Sequence, residues 1–259
     1  MINGIKKIAT VVYSAYVLLL FIAFIPLALV YYLLIFFFPT NTRLRLVYRF
    51  HRLWIFTVAL LSFIRIKVRG AEKIIRDETY VFVVNHCNLF DTAIAGSCIQ
   101  HPFKPLAKRE LFKIPGLGWL FAMASVPVNR SSKESRKKSF DEMVKAIKGK
   151  TSILLFPEGT RNRTDKPLKS FYDGSFRLAI DCQVPVMPIV LLDVRALQPV
   201  DSLKMYPGKV SMNFLEPIPT QGMDSSHVEK LKQKVYAVME KFILENDKMF
   251  RPKSPQASK

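Results

Sequence analysis

Tyr80-Val81-Phe82-Val83-Val84-Asn85-His86-Cys87-Asn88-Leu89-Phe90-Asp91 is the stretch from which the fold can be read. Five apolar or aromatic residues in a row read as a strand. Asn88 then reads as a helix N-cap, with Asp91 as an acid in the first turn. The unit is strand, loop, helix, with His86 on the loop and Asp91 where a chain reversal brings the two side chains together. A neutral imidazole takes a proton from a hydroxyl, and a carboxylate beside it fixes its tautomer and stabilises the imidazolium that forms. This is a constellation for acyl transfer.

A second unit repeats the logic. Ser152-Ile153-Leu154-Leu155 is followed by Phe156-Pro157-Glu158-Gly159-Thr160-Arg161, where proline and glycine force a tight loop at a strand end. Ligands of α/β sheets bind at such ends, so two of these loops predict a shared cleft. Further strands are expected at Ile66–Val68, Lys104–Ala107, Ser125–Val128, Val186–Val190 and Val210–Leu215, and helical patterns fit 88–100, 133–148, 170–181 and 225–247. The alternation predicts an α/β fold with a mixed, largely parallel sheet flanked by helices. No internal repeat is present.

The chain has 259 residues and a net charge of +19, which calls for an anionic partner. Residues 1–71 contain no Asp or Glu, and Ile8–Phe38 carries no charge at all. As one straight helix that run measures about 46 Å, beyond the roughly 30 Å of a hydrocarbon core. It must tilt, kink at Pro26 or turn back. Two arrangements fit: a single span, or a hairpin dipping into one leaflet, with the basic residues Arg43, Arg45, Arg49 and Arg52 placing the following domain on the cytoplasmic face. Leu53–Ile64 is too short to span and follows Arg45, Arg49 and Arg52 at helical spacing, which reads as an interfacial or partly inserted helix. The organisation expected is a membrane anchor over 1–65, a catalytic domain over 66–250 and a disordered tail over 251–259. A basic face meeting membrane phospholipid accounts for the charge; no basic patch with interleaved aromatics or known module points to nucleic acid.

The two loops, with the first written as NHx4D, resemble the glycerolipid acyltransferase family. Val126-Pro127-Val128-Asn129-Arg130 is similar to that family's second motif and Val184-Pro185-Val186-Met187-Pro188-Ile189-Val190 to its fourth, and all four stand in family order over roughly residues 66 to 220. Cys87 and Asn88 inside the first motif, and Asn129 where an acid is common, are the departures. The resemblance implies transfer of an acyl chain from a thioester, acyl-CoA or acyl carrier protein, to the sn-2 hydroxyl of 1-acylglycerol 3-phosphate (lysophosphatidic acid). His86 would be the general base and Asp91 its orienter. Lys108 and Arg161 would hold the phosphate, with Arg130 a further candidate, while Glu158, Gly159 and Thr160 shape the acceptor site. Neither a metal nor another cofactor is implied. The same chemistry on another lysolipid is the nearer alternative, and a non-catalytic membrane lipid-binding protein the farther one.

Cys87, Cys98 and Cys182 lack metal-type spacing. Cys87 abuts His86, but adjacent side chains in an extended segment point apart, which argues against a Cys-His pair. His51, His101 and His227 are expected to be surface or interfacial residues.

Overall fold

In the computed structural model Val81 and Val83 enter one apolar core, while Phe82 and Val84 enter another on the opposite face of the sheet. The run is unbroken in the sequence because its strand is covered on both sides. The structure describes residues 2–88, 90–114, 118–128, 132–200 and 202–251, so the expected tail lies outside them from 252 onward.

Seven strands form one sheet: β1 (Ile64–Arg69), β2 (Val81–Val84), β3 (Phe103–Lys108), β4 (Val126–Val128), β5 (Ser152–Leu155), β6 (Val186–Leu192) and β7 (Gly208–Phe214). Their order is β1-β7-β6-β2-β5-β3-β4. All neighbours are parallel except β6 and β7. The expected mixed, largely parallel sheet is borne out. Both edges are guarded: β1 turns Arg65, Lys67 and Arg69 to solvent, and β4 carries Pro127. Pro188 sits inside the central strand β6, at the point where the ladder to β7 ends with Ile189 opposite Phe214.

Helices cover both faces. On one side lie α5 (Lys133–Lys148), α6 (Gly174–Asp181) and α8 (Val228–Asn246), through residues such as Ile147, Phe176 and Val235. On the other lie α3 (Phe90–Cys98) and the short α7 (Val194–Leu197), through Ile94, Ala95 and Leu197. A further helix, α4 (Gly118–Ala124), precedes β4.

The N-terminal region is a pair of antiparallel helices, α1 (Ile2–Leu34) and α2 (Thr40–Leu61), joined by a 3-10 turn over Ile35–Phe37. Tyr13 Oη donates to the Ser62 carbonyl at 2.5 Å and Tyr31 Oη to that of Leu46 at 3.2 Å. These pairings fix the antiparallel register. Tyr31 stacks on Phe50 and Phe21 packs on Trp54, at centroid distances of 4.7 and 4.8 Å. The helix continues through Pro26, and Gly4–Phe37 is long and apolar enough to cross a membrane. Yet α2 returns along α1 and lays Tyr48 and Phe56 on the sheet core, so the chain turns back. The segment expected as an isolated interfacial helix from Leu53 is the second half of α2, which starts at Thr40.

Three other expectations shift. The helix predicted from 88 starts at Phe90, because the N–H groups of Cys87 and Asn88 are taken by Asp91. The Asn88 side chain still caps this start, its Oδ1 accepting from Phe90 N at 2.9 Å. The helix predicted from 170 starts at Gly174, since Lys169 N and Tyr172 N donate to Glu158 and to the Pro157 carbonyl. His101 and His51 are not on the surface: His101 is buried against Tyr80 and Phe82, and His51 bonds Tyr32 between the helices.

Gly70 ends β1 at φ 73°, and a Cβ there would collide with the Phe214 carbonyl oxygen. Gly96 lies inside α3 with open space around it. Gly70→Ala should cost on the order of 1–3 kcal/mol through left-handed strain and collision, whereas Gly96→Ala should be neutral or stabilising by up to about 1 kcal/mol. Chemical denaturation of the detergent-solubilised protein measures both; an unaffected Gly70→Ala would show that this turn is not strained.

Candidate active site

Because β2, β5 and β3 run parallel, their carboxyl ends lie along one edge, with Phe82 level with Leu154 and Leu154 level with Pro105. The loops after β2 and β5 carry His86 and the Phe156–Arg161 block, and Lys108 is the last residue of β3. His86 Nδ1 lies 2.9 Å from Asp91 Oδ2. The Asp91 side chain is 0% exposed and that of His86 17%. The same oxygen accepts from Cys87 N and, at 2.8 Å, from Asn88 N. The carboxylate therefore closes the loop and orients the ring together. With Nδ1 donating to Asp91, the ring's Nε2 is the free base, and it has no hydrogen bond with any described residue.

Phe156 stacks on the imidazole at 4.3 Å, which fixes its plane. Asn85 exchanges both amide bonds with the backbone of Leu191, and Asn88 Nδ2 donates to the Val194 carbonyl at 3.2 Å. The β2 loop is thus tied to β6 and α7 on one side. Asn162 N donates to the His86 carbonyl at 2.6 Å and ties it to the β5 loop on the other.

Glu158, expected among the substrate-binding residues, is only 1% exposed. Its Oε1 accepts from His86 N at 2.8 Å and its Oε2 from Lys169 N at 2.9 Å. Both oxygens are occupied by backbone donors, so Glu158 positions the two loops. Burial pushes its carboxyl up to about 6, against the pull of those two N–H groups. Gly159 takes φ 70° and its N–H closes a turn onto the Phe156 carbonyl at 3.0 Å. Thr160 Oγ1 accepts from Lys169 Nζ at 2.7 Å.

Lys108 is exposed and Arg161 half-buried. Neither has a hydrogen bond or ion pair with another described residue, so both cations remain available to a ligand. Arg130 lies outside the described residues. Burial, then the neighbouring Asp91, pushes the Cys87 thiol well above its usual range, which removes it as a thiolate nucleophile. His227 does meet a carboxylate, Asp224 at 2.8 Å, but as a helix cap far along the chain.

Asn85, Phe156, Asn162, Lys169 and Arg195 are parts of the site for which the motifs gave no role. Arg195 donates to the carbonyls of Thr164 and Asn162 at 2.7 and 3.3 Å, holding the chain that follows the β5 loop. A buried polar residue at a strand end is the signal that Asn85 offered; Arg195 offered none, since its partners lie far away in sequence.

The sequence model of the family described as Acyltransferase matches residues 65–192. An uncharacterised acyltransferase of Schizosaccharomyces pombe is 29% identical over 186 residues, 71% of this chain and 67% of that protein. The human 1-acyl-sn-glycerol-3-phosphate acyltransferase alpha is 29% identical over 191 residues, 71% of this chain and 65% of its own, so this chain spans just under two thirds of it. The Escherichia coli 1-acyl-sn-glycerol-3-phosphate acyltransferase is 28% identical over 170 residues, 65% of this chain and 68% of its own. In fold, the crystal structure of the 1-acyl-sn-glycerophosphate acyltransferase from Thermotoga maritima superposes with a TM-score of 0.78 at 25% identity, covering 93% of this chain and 97% of that one. The resemblance to glycerolipid acyltransferases is borne out in sequence and in architecture.

Glu158 yields a stability prediction with a definite sign. Between its ordinary value near 4.3 and about 6 the native protein holds this proton more tightly than the unfolded chain does, so stability falls as pH rises through that window, by about 2 kcal/mol in all. Glu158→Gln has no such proton. Its stability relative to the parent should therefore rise by about that amount between pH 4 and pH 7 in urea unfolding; a constant difference would show that Glu158 is not the titrating group.

Proposed function

We infer that this chain, an acyltransferase by its match over residues 65–192, transfers an acyl group from a thioester to the sn-2 hydroxyl of 1-acylglycerol 3-phosphate, giving phosphatidic acid. The observation that carries the reading is the His86–Asp91 pair at the carboxyl edge of the sheet, with Nε2 of the ring unpartnered. Several similar proteins bear the name of that activity.

In the mechanism that this geometry supports, His86 Nε2 takes the hydroxyl proton as the oxygen attacks the thioester carbonyl. Asp91 stabilises the imidazolium. The C–S bond then breaks, and the imidazolium returns its proton to the departing thiolate. A thioester is already activated, so the transfer needs no acyl-enzyme. Arg161 grips phosphate oxygens with its planar fork and Lys108 adds a point charge. Arg130 is a further candidate for the phosphate, and Gly159 and Thr160 shape the floor of the acceptor site. The donor is carried on coenzyme A or on acyl carrier protein.

The α1–α2 pair, apolar outside and free of acids, supports a monotopic anchor in which Arg45, Arg49 and Arg52 meet anionic headgroups on the cytoplasmic face. The acceptor's acyl chain lies in the same leaflet. An assay of detergent-purified protein against lysolipids of different headgroups, with both donors, tests the substrate assignment.

His86→Ala should abolish transfer, a loss on the order of 10²–10⁴ or more, and Asp91→Asn should lower kcat severely with the fold intact. Cys87→Ala should stay active; its inactivity together with an acyl-thioester trapped on the parent protein would replace this mechanism. Arg161→Ala and Lys108→Ala should raise the acceptor KM more than the donor KM and leave use of an unphosphorylated acceptor almost unchanged. Equal losses on both acceptors would mean that these residues hold structure.

A further inference from the structure

We propose that Arg195, on α7, is a positioning residue for the acceptor: it fixes the turn that follows Arg161, and so the direction in which that cation meets the acceptor's phosphate. The assignment deepens the proposed reaction and rests on it. The Arg195 guanidinium is held by backbone oxygens. Nη1 donates to the Thr164 carbonyl at 2.7 Å, and Nη2 to those of Asn162 at 3.3 Å and Lys166 at 3.5 Å. No carboxylate pairs with it among the described residues, so the planar fork is committed to the shape of one turn. The ring of Phe250 lies over it, 5.6 Å from Cζ to the ring centroid.

Asn162 connects this turn to the chemistry. Its N–H donates to the His86 carbonyl at 2.6 Å, and its carbonyl accepts from Arg195. Both peptide planes that flank Asn162 are therefore fixed, and Arg161 is attached to the first of them. Other bonds would survive the loss of Arg195. Asn162 Oδ1 accepts from Thr164 N at 3.0 Å, and Asn162 Nδ2 donates to the Lys166 carbonyl at 2.9 Å. The turn would keep its form and lose its anchorage. His86 would keep Asp91 on its ring and Glu158 on its N–H, so the displacement would fall on Arg161 more than on the base.

Arg195 is itself braced from the end of the chain. Asp193, just before α7, takes φ 63°, a conformation uncommon for a residue with a side chain. Its N–H donates to Asp247 Oδ2 at 2.8 Å, and its carboxylate accepts from Lys248 N at 3.2 Å and pairs with Lys248 Nζ at 3.3 Å. Two residues on, Phe250 covers the guanidinium. The segment after α8 thus holds α7, α7 holds the turn, and the turn carries Arg161. The charge of Arg195 also reaches the His86 loop: burial and then Asp91 push the Cys87 thiol up, and Arg195 pulls against them.

The test uses full-length protein in detergent, with Arg195→Ala, Arg195→Lys and Phe250→Leu. Arg177→Ala is the control, since Arg177 is exposed on α6 and its side chain bonds no described residue. Kinetics are measured on lysophosphatidate and on monoacylglycerol, which has no phosphate. Arg195→Ala should raise the lysophosphatidate KM on the order of tenfold to a hundredfold, with kcat changed less and use of monoacylglycerol within about twofold of the parent. Arg195→Lys keeps the charge but not the fork, and should be impaired as well. Guanidinium chloride at millimolar concentration should move Arg195→Ala back toward the parent, and sodium chloride at equal ionic strength should not. Phe250→Leu should raise the same KM by about two- to fivefold, the worth of an exposed cation–π contact, and Arg177→Ala should match the parent. Circular dichroism reports the fold. An unchanged lysophosphatidate KM in Arg195→Ala or, where that variant does not fold, in Phe250→Leu overturns the assignment. So does an equal loss on both acceptors, full activity of Arg195→Lys, or a folded Arg195→Ala that guanidinium leaves unrestored. A parent protein active on no lysophosphatidate overturns the reaction itself, and this role with it.

Discussion

One oxygen of one buried carboxylate organises the catalytic edge. Asp91 Oδ2 receives the His86 ring and the N–H groups of Cys87 and Asn88, and a carboxylate with no exposed surface is tolerable only when donors of this kind surround it. Removing that oxygen would release the ring and open the turn between β2 and α3 at once. The turn's closure, the start of α3 at Phe90 and the tautomer of His86 all follow from that oxygen.

Glu158 performs the same service between loops that Asp91 performs within one. Both Glu158 oxygens accept from backbone N–H groups, whereas Asp91 is held through Oδ2 alone, by two N–H groups and the His86 ring, and its buried Oδ1 has no hydrogen-bond partner among the described residues. Neither draws on Lys108 or Arg161. The division has an electrostatic result: both negative charges are buried in the scaffold, while the two cations, at the end of β3 and after β5, keep no ion pair with another described residue. In the proposed reaction a phosphate approaching that edge would meet unspent positive charge.

Much of this was legible in the residues, for a physical reason. Each of the seven strands was anticipated: the inner strands carry unbroken apolar runs such as Val81–Val84 and Ile153–Leu155 because both faces are covered, and β1 alternates Ile66 and Val68 with exposed charges. His86 and Asp91 were legible because five residues of spacing across a turn suffice to join them. What escaped notice depends on partners remote in the chain. The non-helical course of residues 170–172 exists because Pro157 and Glu158 recruit the neighbouring N–H groups. Glu158 looked like a substrate ligand, since nothing local shows that Lys169 will cover its second oxygen. Before Leu53 the helical spacing of Arg45, Arg49 and Arg52 was legible, but not the face of α2 that packs on α1 and on the sheet.

Only Ser62 and Phe63 separate the end of α2 from β1. Ser62 is fully buried, its carbonyl is held by Tyr13 and its N–H by Val58. There is no swivel at this junction. With the helix pair seated in a leaflet, the cleft would stand at one fixed height above its base, like a gauge set from a single surface. Its depth would be referenced to the near face of the bilayer alone, so the thickness of the membrane beneath, which tilts and strains a protein that spans it, would leave this cleft's altitude unchanged.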